Sequence, residues 1–177
     1  MFTPYIYSDW MREIQEKKFE GLFIEFLLPL KSELNFNSIK MLDVGIGKGW
    51  FEDKFRDRGM NPDIIGLDIE SFKPSRNFER VVGDGNLLPF KNNTFDLLVS
   101  VDTMHLIDDP REVFRVMKNN SFAILGIFSS PYNLNEKRKE LLIKAKNLNL
   151  LKESVVGDPK KEINYVGLFK KGPWSSG

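Results

Sequence analysis

The chain reads as an α/β protein built on a mostly parallel seven-stranded sheet, in three layers, with one antiparallel strand near the C-terminus. Three observations predict it. From residue 40 onward, short apolar runs alternate with stretches of helical periodicity, the pattern of successive βα units. The run Phe95 to Val101 is apolar almost throughout, as a central strand covered on both faces must be. The C-terminal part holds two strand-like segments around Gly157-Asp158-Pro159, which reads as a closing hairpin.

Each element can be justified in order. Residues 1–8 are aromatic and turn-like, with Ser8 in position to cap a helix. Residues 9–28 carry Phe19, Leu22, Phe23, Phe26 and Leu27 at helical spacing, and Pro29 is expected to end that helix. It can cover the sheet, or act as a lid (residues 1–30) in which Tyr5, Tyr7 and Trp10 close over a ligand. Strands are expected over 40–44, 63–67, 80–82, 95–101 and 122–128. Helices are expected over 50–58, from Pro110 with Val113, Val116 and Met117 on one side, and over 135–147 with Leu141, Leu142 and Ala145 facing in. The stretch 71–79 contains Pro74 and little periodicity, so a loop or a short turn is expected there. The hairpin should pair 150–156 with 163–169. No linker or repeat divides the chain, so residues 1–171 read as one domain and 172–177 as a flexible tail.

The chain has 177 residues, 41% of them hydrophobic, enough for one domain with a substantial core. Twenty-six Lys and Arg stand against 25 Asp and Glu, a net charge of +1. That balance gives no electrostatic reason to expect a nucleic acid or a membrane as partner. With no cysteine there is no disulfide framework, thiolate metal site or cysteine nucleophile. No signal peptide or membrane span is read, and a cytoplasmic location is expected.

The chemistry concentrates in residues 40–50. Met41 and Leu42 lead into Asp43 and Val44, and then Gly45, Gly47 and Gly49 alternate with Ile46 and Lys48 before a helical pattern begins at Trp50. Strand, glycine turn and helix in that order let backbone approach a ligand, with the helix offering free N–H groups and the positive end of its dipole. A second buried strand, Ile64 to Leu67, ends at Asp68. This lies about 20 residues beyond the glycines, where an acidic residue takes ribose hydroxyls in nucleotide-binding βαβ units.

The segments LDVGIGKG, GLDIE, GDGNLLPF and FDLLVSVDTMHLIDDP follow one another in this chain. In that order and spacing they resemble the class I S-adenosylmethionine-dependent methyltransferases, especially the compact type 11 group. The resemblance is close over about residues 38–128 and looser outside. It implies a Rossmann-like methyltransferase fold with S-adenosylmethionine as cofactor and S-adenosylhomocysteine as product. It places the glycine turn, Gly45 to Gly49 with Ile46 and Lys48, against the methionine part. Asp43 would be directed to the methionine ammonium or a backbone amide, and Asp68 to the ribose. Ile69 would lie on the adenine ring, Asp84 at its amino group, and Gly85 and Asn86 at a ring nitrogen. Ser100 and Val101 would bring a backbone carbonyl to the ammonium. Lys48 stands where that family usually has a small residue; it can pair with the cofactor carboxylate or be solvated.

Two residues are candidates for proton removal from an acceptor. His105, the only histidine, has a suitable titration range and follows strand four; Asp102 is the second. The resemblance implies a small-molecule acceptor, and an RNA or protein group reached without extra domains stays open beside it. The chain lacks Asn-Pro-Pro-Tyr after strand four, a cysteine to attack a pyrimidine, and a paired-glutamate loop, which sets aside several macromolecule-directed subclasses. Two other readings stand beside this one. A nicotinamide-dependent oxidoreductase would share the glycine turn, although Trp50 occupies the place of the third fingerprint glycine. A non-catalytic binding module would share the fold. A homodimer, in which a second subunit completes the acceptor pocket, is also open.

Overall fold

The computed structural model describes residues 9–71 and 78–173. Ser8, Tyr5, Tyr7, the Pro74 segment and the tail from 174 lie outside the described residues, as does the side chain of Trp10.

The N-terminal helix starts as α1 (Asp9–Leu22), continues through a π segment (Phe23–Leu27) and ends as α2 (Leu28–Leu30). Pro29 therefore sits inside the last helical turn instead of stopping the helix. Proline has no N–H to return to the carbonyl four residues earlier, and that carbonyl, of Glu25, accepts from Lys152 Nζ at 2.7 Å. The parallel core then follows: β1 (Lys40–Val44), α3 (Trp50–Asp57), β2 (Asp63–Asp68), β3 (Glu79–Val82), β4 (Phe95–Val101), α4 (Pro110–Arg115) and β5 (Met117–Ser129). The chain closes with α5 (Leu134–Lys144), β6 (Asn149–Asp158) and β7 (Glu162–Lys170).

The sheet order is β3-β2-β1-β4-β5-β7-β6. Its left half is parallel, β4 pairs β5 in parallel, and β7 runs against both of its neighbours, the single reversed strand expected. The chain leaves β1 in one direction toward β2 and β3, and in the other toward β4. Ligands bind outside the carboxyl ends of strands at such a reversal.

Two apolar layers sandwich the sheet. On one side Phe23, Phe26, Phe51 and Phe55 pack over Met41, Leu97, Ile124 and Val166; on the other Val113, Phe114 and Leu141 pack over Leu42, Phe95, Leu98 and Leu125. Leu141 and Ala145 are buried as expected, and Leu142 is half-buried.

Several element boundaries moved; α5, for example, ends at Lys144 and not at 147, and two of the changes bear on the sheet. Met117 begins β5, opposite Phe95, instead of lying on α4. The reason is that the carbonyl of Val116 already accepts N–H groups from Thr94 and Phe95, at 2.7 and 3.0 Å, which commits the backbone to β4. The hairpin turn lies over 159–161, because Gly157 and Asp158 still pair with Ile163 and Glu162.

Phe23 holds the N-terminal helix to α3, its ring centroid 5.2 Å from Phe51 and 4.8 Å from Phe55. Phe23→Ala is expected to cost about 3–5 kcal/mol in denaturant unfolding; a loss under about 1 kcal/mol would show that this layer is not holding the helix.

Candidate functional site: a cavity at the carboxyl ends of the strands

Where β1 and β4 diverge, a cavity of about 480 Å³ opens, lined by the turn after β1, the ends of β2 and β4, and α1. This size suits a small ligand.

Its floor is the glycine turn. Gly45 has φ +88° and Gly47 φ +56°, a region that residues with a Cβ rarely adopt. A Cβ at 45 would also lie 1.9 Å from Thr103 Oγ1. Two amides of the turn, Gly45 and Ile46, donate to the carbonyl of Leu67 at 2.7 and 3.2 Å. The amide of Gly47 donates to Asp68 Oδ2 at 2.8 Å, and Glu70 N–H donates to Oδ1 at 3.0 Å. Asp68 is thus locked between two backbone amides at the end of β2, with its carboxylate on the cavity wall. Arg80, on β3, donates to the Gly47 carbonyl at 2.8 Å and secures the turn from outside.

The remaining expected residues divide. Asp43, Ile46, Lys48, Ile69, Asp84, Gly85, Asn86, Val101 and Asp102 all line the cavity. Ile69 is 69% exposed, an open apolar surface beside Asp68. Asp84 Oδ1 accepts from the backbone and side-chain nitrogens of Asn86 at 2.8 and 3.0 Å, so the turn around it is self-supported. Lys48 lies over the Trp50 ring at 5.5 Å, a cation–π contact that neither expectation foresaw. Gly49, Ser100 and His105 are not on the cavity wall. Gly49 caps α3. Ser100 is buried and donates to the carbonyl of Val44 at 3.1 Å, tying β4 to β1. His105 is exposed on a short 3₁₀ turn, Met104–Leu106.

Sequence reasoning missed several residues. Lys18 and Gln15 reach the cavity from α1. Lys18 Nζ lies 2.6 Å from Asp102 Oδ2 and 3.0 Å from Glu162 Oε1. Nothing in the charge pattern of α1 separates Lys18 from its neighbours; only tertiary packing does. Glu52 carried a readable signal, since it shares the buried face of α3 with Phe51 and Phe55.

Glu52 and Asp43 form a buried carboxyl pair. Apart from Asp43, no side-chain donor among the described residues reaches either oxygen of Glu52. Two carboxylates in contact need a shared proton. Burial is the main cause that lifts Asp43 to about 6; its bond with Glu52 opposes this rise and the charge of Asp68 adds to it. Burial, then the charge of Asp43, holds Glu52 well above the usual carboxylate range. Both groups are raised in the folded state, so the stability they contribute is present below about pH 4; the part due to Asp43 is lost as pH rises through about 6, and the part due to Glu52 as pH rises past the usual carboxylate range.

Carboxylates dominate the cavity wall, with Asp43, Asp68, Glu70, Asp84 and Asp102 against Lys18 and Lys48. Such a lining favours a cationic ligand, and the locked Asp68 beside an open backbone turn suits a ribose. A sulfonium nucleoside carrying an ammonium group fits both features.

Known proteins resemble this chain in sequence and in fold. A family model described as "Methyltransferase domain" matches residues 42–125. An uncharacterised protein of Methanocaldococcus jannaschii is 25% identical over 140 residues, which are 77% of this chain and 61% of that one. A demethylmenaquinone methyltransferase of Renibacterium salmoninarum is 27% identical over 104 residues, 52% of this chain and 42% of the other. The chain thus spans about three-fifths or less of these relatives. A solved S-adenosylmethionine-dependent methyltransferase of Methanosarcina mazei shares the fold with a TM-score of 0.64 at 18% identity, covering 82% of this chain and 98% of that one.

Glu52→Gln supplies an amide donor in place of the shared proton. It is expected to flatten the fall in stability with rising pH and to leave the variant the more stable of the two at pH 8, read by chemical denaturation across pH. An unchanged profile would mean that the pair does not share a proton.

Proposed function

We propose that the chain is a class I, Rossmann-like S-adenosylmethionine-dependent methyltransferase that transfers a methyl group from this cofactor to a small-molecule acceptor. The observation that carries the proposal is Asp68, locked by the Gly47 and Glu70 amides on the wall of a carboxylate-rich cavity at the point where the strand order reverses.

The cofactor supplies an electrophilic methyl group on a sulfonium, so the protein's task is to orient donor and acceptor. An ionised carboxylate has about four acceptor sites, and the two backbone bonds to Asp68 leave the others for the ribose hydroxyls. Ile69 provides an apolar face for adenine, and Asp84, Gly85 and Asn86 border its edge. Asp43 and the backbone of the glycine turn receive the methionine end, with the carbonyls after Ser100 and Val101 alongside. We assign proton removal from the acceptor to Asp102, which lines the cavity, in preference to the exposed His105. Lys18 holds Asp102 in place through its 2.6 Å ion pair. Support for a small acceptor comes from the size of the cavity, about 480 Å³, and the near-neutral charge of the chain, +1. Among the described residues no helix is long and apolar enough to cross a membrane.

Calorimetric titration tests this reading. S-adenosylmethionine and S-adenosylhomocysteine are expected to bind and NAD is not. Asp68→Ala should weaken both adenosyl ligands by roughly thirtyfold, about 2 kcal/mol. A folded protein that binds neither adenosyl ligand would overturn the proposal.

A further inference from the structure

Where β1 and α3 come together, the Asp43 and Glu52 carboxyl groups occupy different positions relative to the cavity. Asp43, 6% exposed, lines it; Glu52, 3% exposed, does not. Glu52 instead borders a second cavity of about 310 Å³ between α3 and the strands β2 and β3, which Asp43 does not reach. The pair therefore stands between the two cavities, with Glu52 behind Asp43 as seen from the first. Glu52 is set among the buried rings of Phe51 and Phe55 on its own helix, and among described side chains Asp43 is its hydrogen-bond partner.

This placement decides which group holds the shared proton. Burial is the main cause that raises both, Asp43 to about 6 and Glu52 well above the usual carboxylate range. Asp43 ionises first, so near neutral pH Glu52 is the neutral acid and donates to the Asp43 carboxylate. A carboxyl kept neutral by an apolar site can serve as a hydrogen-bond donor. Asp68 on β2 acts on Asp43, and Asp53 on α3 acts on Glu52; both charges raise their neighbour further. The first cavity adds Lys18, Lys48, Glu70, Asp84 and Asp102 on the Asp43 side. The second adds Arg56, Asp63 and Glu79 on the Glu52 side. Arg80, on β3, is directed to the carbonyls of Gly47 and Glu70. An ionised carboxylate has about four acceptor sites, and the bond from Glu52 leaves those on the cavity side of Asp43 open.

Resting on the methyltransferase reading above, we infer that Glu52 is a positioning residue for the methionine end of the cofactor: as a neutral acid it keeps the Asp43 carboxylate ionised and directed to the cavity, where a ligand ammonium pairs with it. Glu52 itself touches no ligand. Without this donor Asp43 would be buried beside the charge of Asp68 and would keep its own proton, and a neutral carboxyl attracts an ammonium far less. Affinity for a ligand carrying the ammonium is thereby tied to the ionisation of Asp43. It rises with pH through the Asp43 titration and levels off above it.

Calorimetry between pH 5 and pH 8 with two probes tests the inference. S-adenosylhomocysteine carries the ammonium; 5′-methylthioadenosine keeps the adenine, ribose and sulfur and lacks the amino-acid end. Affinity for the first is expected to rise about tenfold from pH 5 to pH 7, as a group titrating at about 6 ionises, and affinity for the second to stay within about twofold. Glu52→Gln keeps a donor and should follow the wild type within about twofold at each pH. Glu52→Leu removes the donor and moves the Asp43 titration upward. It should bind S-adenosylhomocysteine at least fivefold more weakly than wild type at pH 6 and come within about twofold of it at pH 8, with methylthioadenosine unchanged. A wild-type affinity that is flat across pH, a glutamine variant as weak as the leucine variant, or a leucine variant that matches wild type at pH 6 would overturn the inference. So would a leucine variant weakened equally for both probes at every pH, the mark of a purely structural role. Folded protein that binds neither probe at any pH would strike the methyltransferase reading instead.

Discussion

The hydrogen bond from the Gly47 amide to Asp68 is the constraint on which the site depends. It joins the turn after β1 to the end of β2, so neither can move without the other. The positive φ angles at Gly45 and Gly47 bring the turn into position, and the space beside Gly45 admits no side chain because Thr103 already fills it. Arg80 reaches over from β3 to the Gly47 carbonyl and closes the arrangement from the third strand. Three adjacent parallel strands are thereby tied to one loop, and a carboxylate is left facing a cavity. A ligand meeting that carboxylate finds it already oriented, so little ordering has to accompany binding.

The opposite wall is held by different forces. The N-terminal helix packs through aromatic rings at Phe19 and Phe23, and its cavity-facing turn is fastened by ion pairs to the ends of β4, β6 and β7. The wall proposed for the cofactor is built from backbone geometry, and the wall opposite it from side chains on α1 and at the end of β4.

Much of this was legible in the sequence, for physical reasons. Parallel strands buried on both faces must be apolar runs, so β1, β2 and β4 are marked in the sequence. A turn with positive φ marks itself by glycine, and the strand-end carboxylate Asp68 by its distance from that turn. Other features carry no such mark. Lys18 looks like any charged residue on a surface helix until β4 and β7 are brought beside it. Met117 follows helical spacing from Val113 and Val116, yet belongs to β5 because hydrogen bonding to β4 takes precedence over local pattern. Pro29 stops a helix only when nothing else satisfies the carbonyl it leaves behind, and here Lys152, from the far end of the chain, does so. Residues near in sequence were read well, and contacts closed by distant segments were not.

The central claim is that the locked carboxylate and the glycine turn form the seat of the cofactor. A crystal structure of the protein grown with S-adenosylhomocysteine tests it most directly. The account predicts both ribose hydroxyls within hydrogen-bonding distance of Asp68, adenine against Ile69, and the homocysteine end along the glycine turn toward Asp43. Ligand bound away from Asp68, or a cavity left without ligand at saturating concentration, would contradict it.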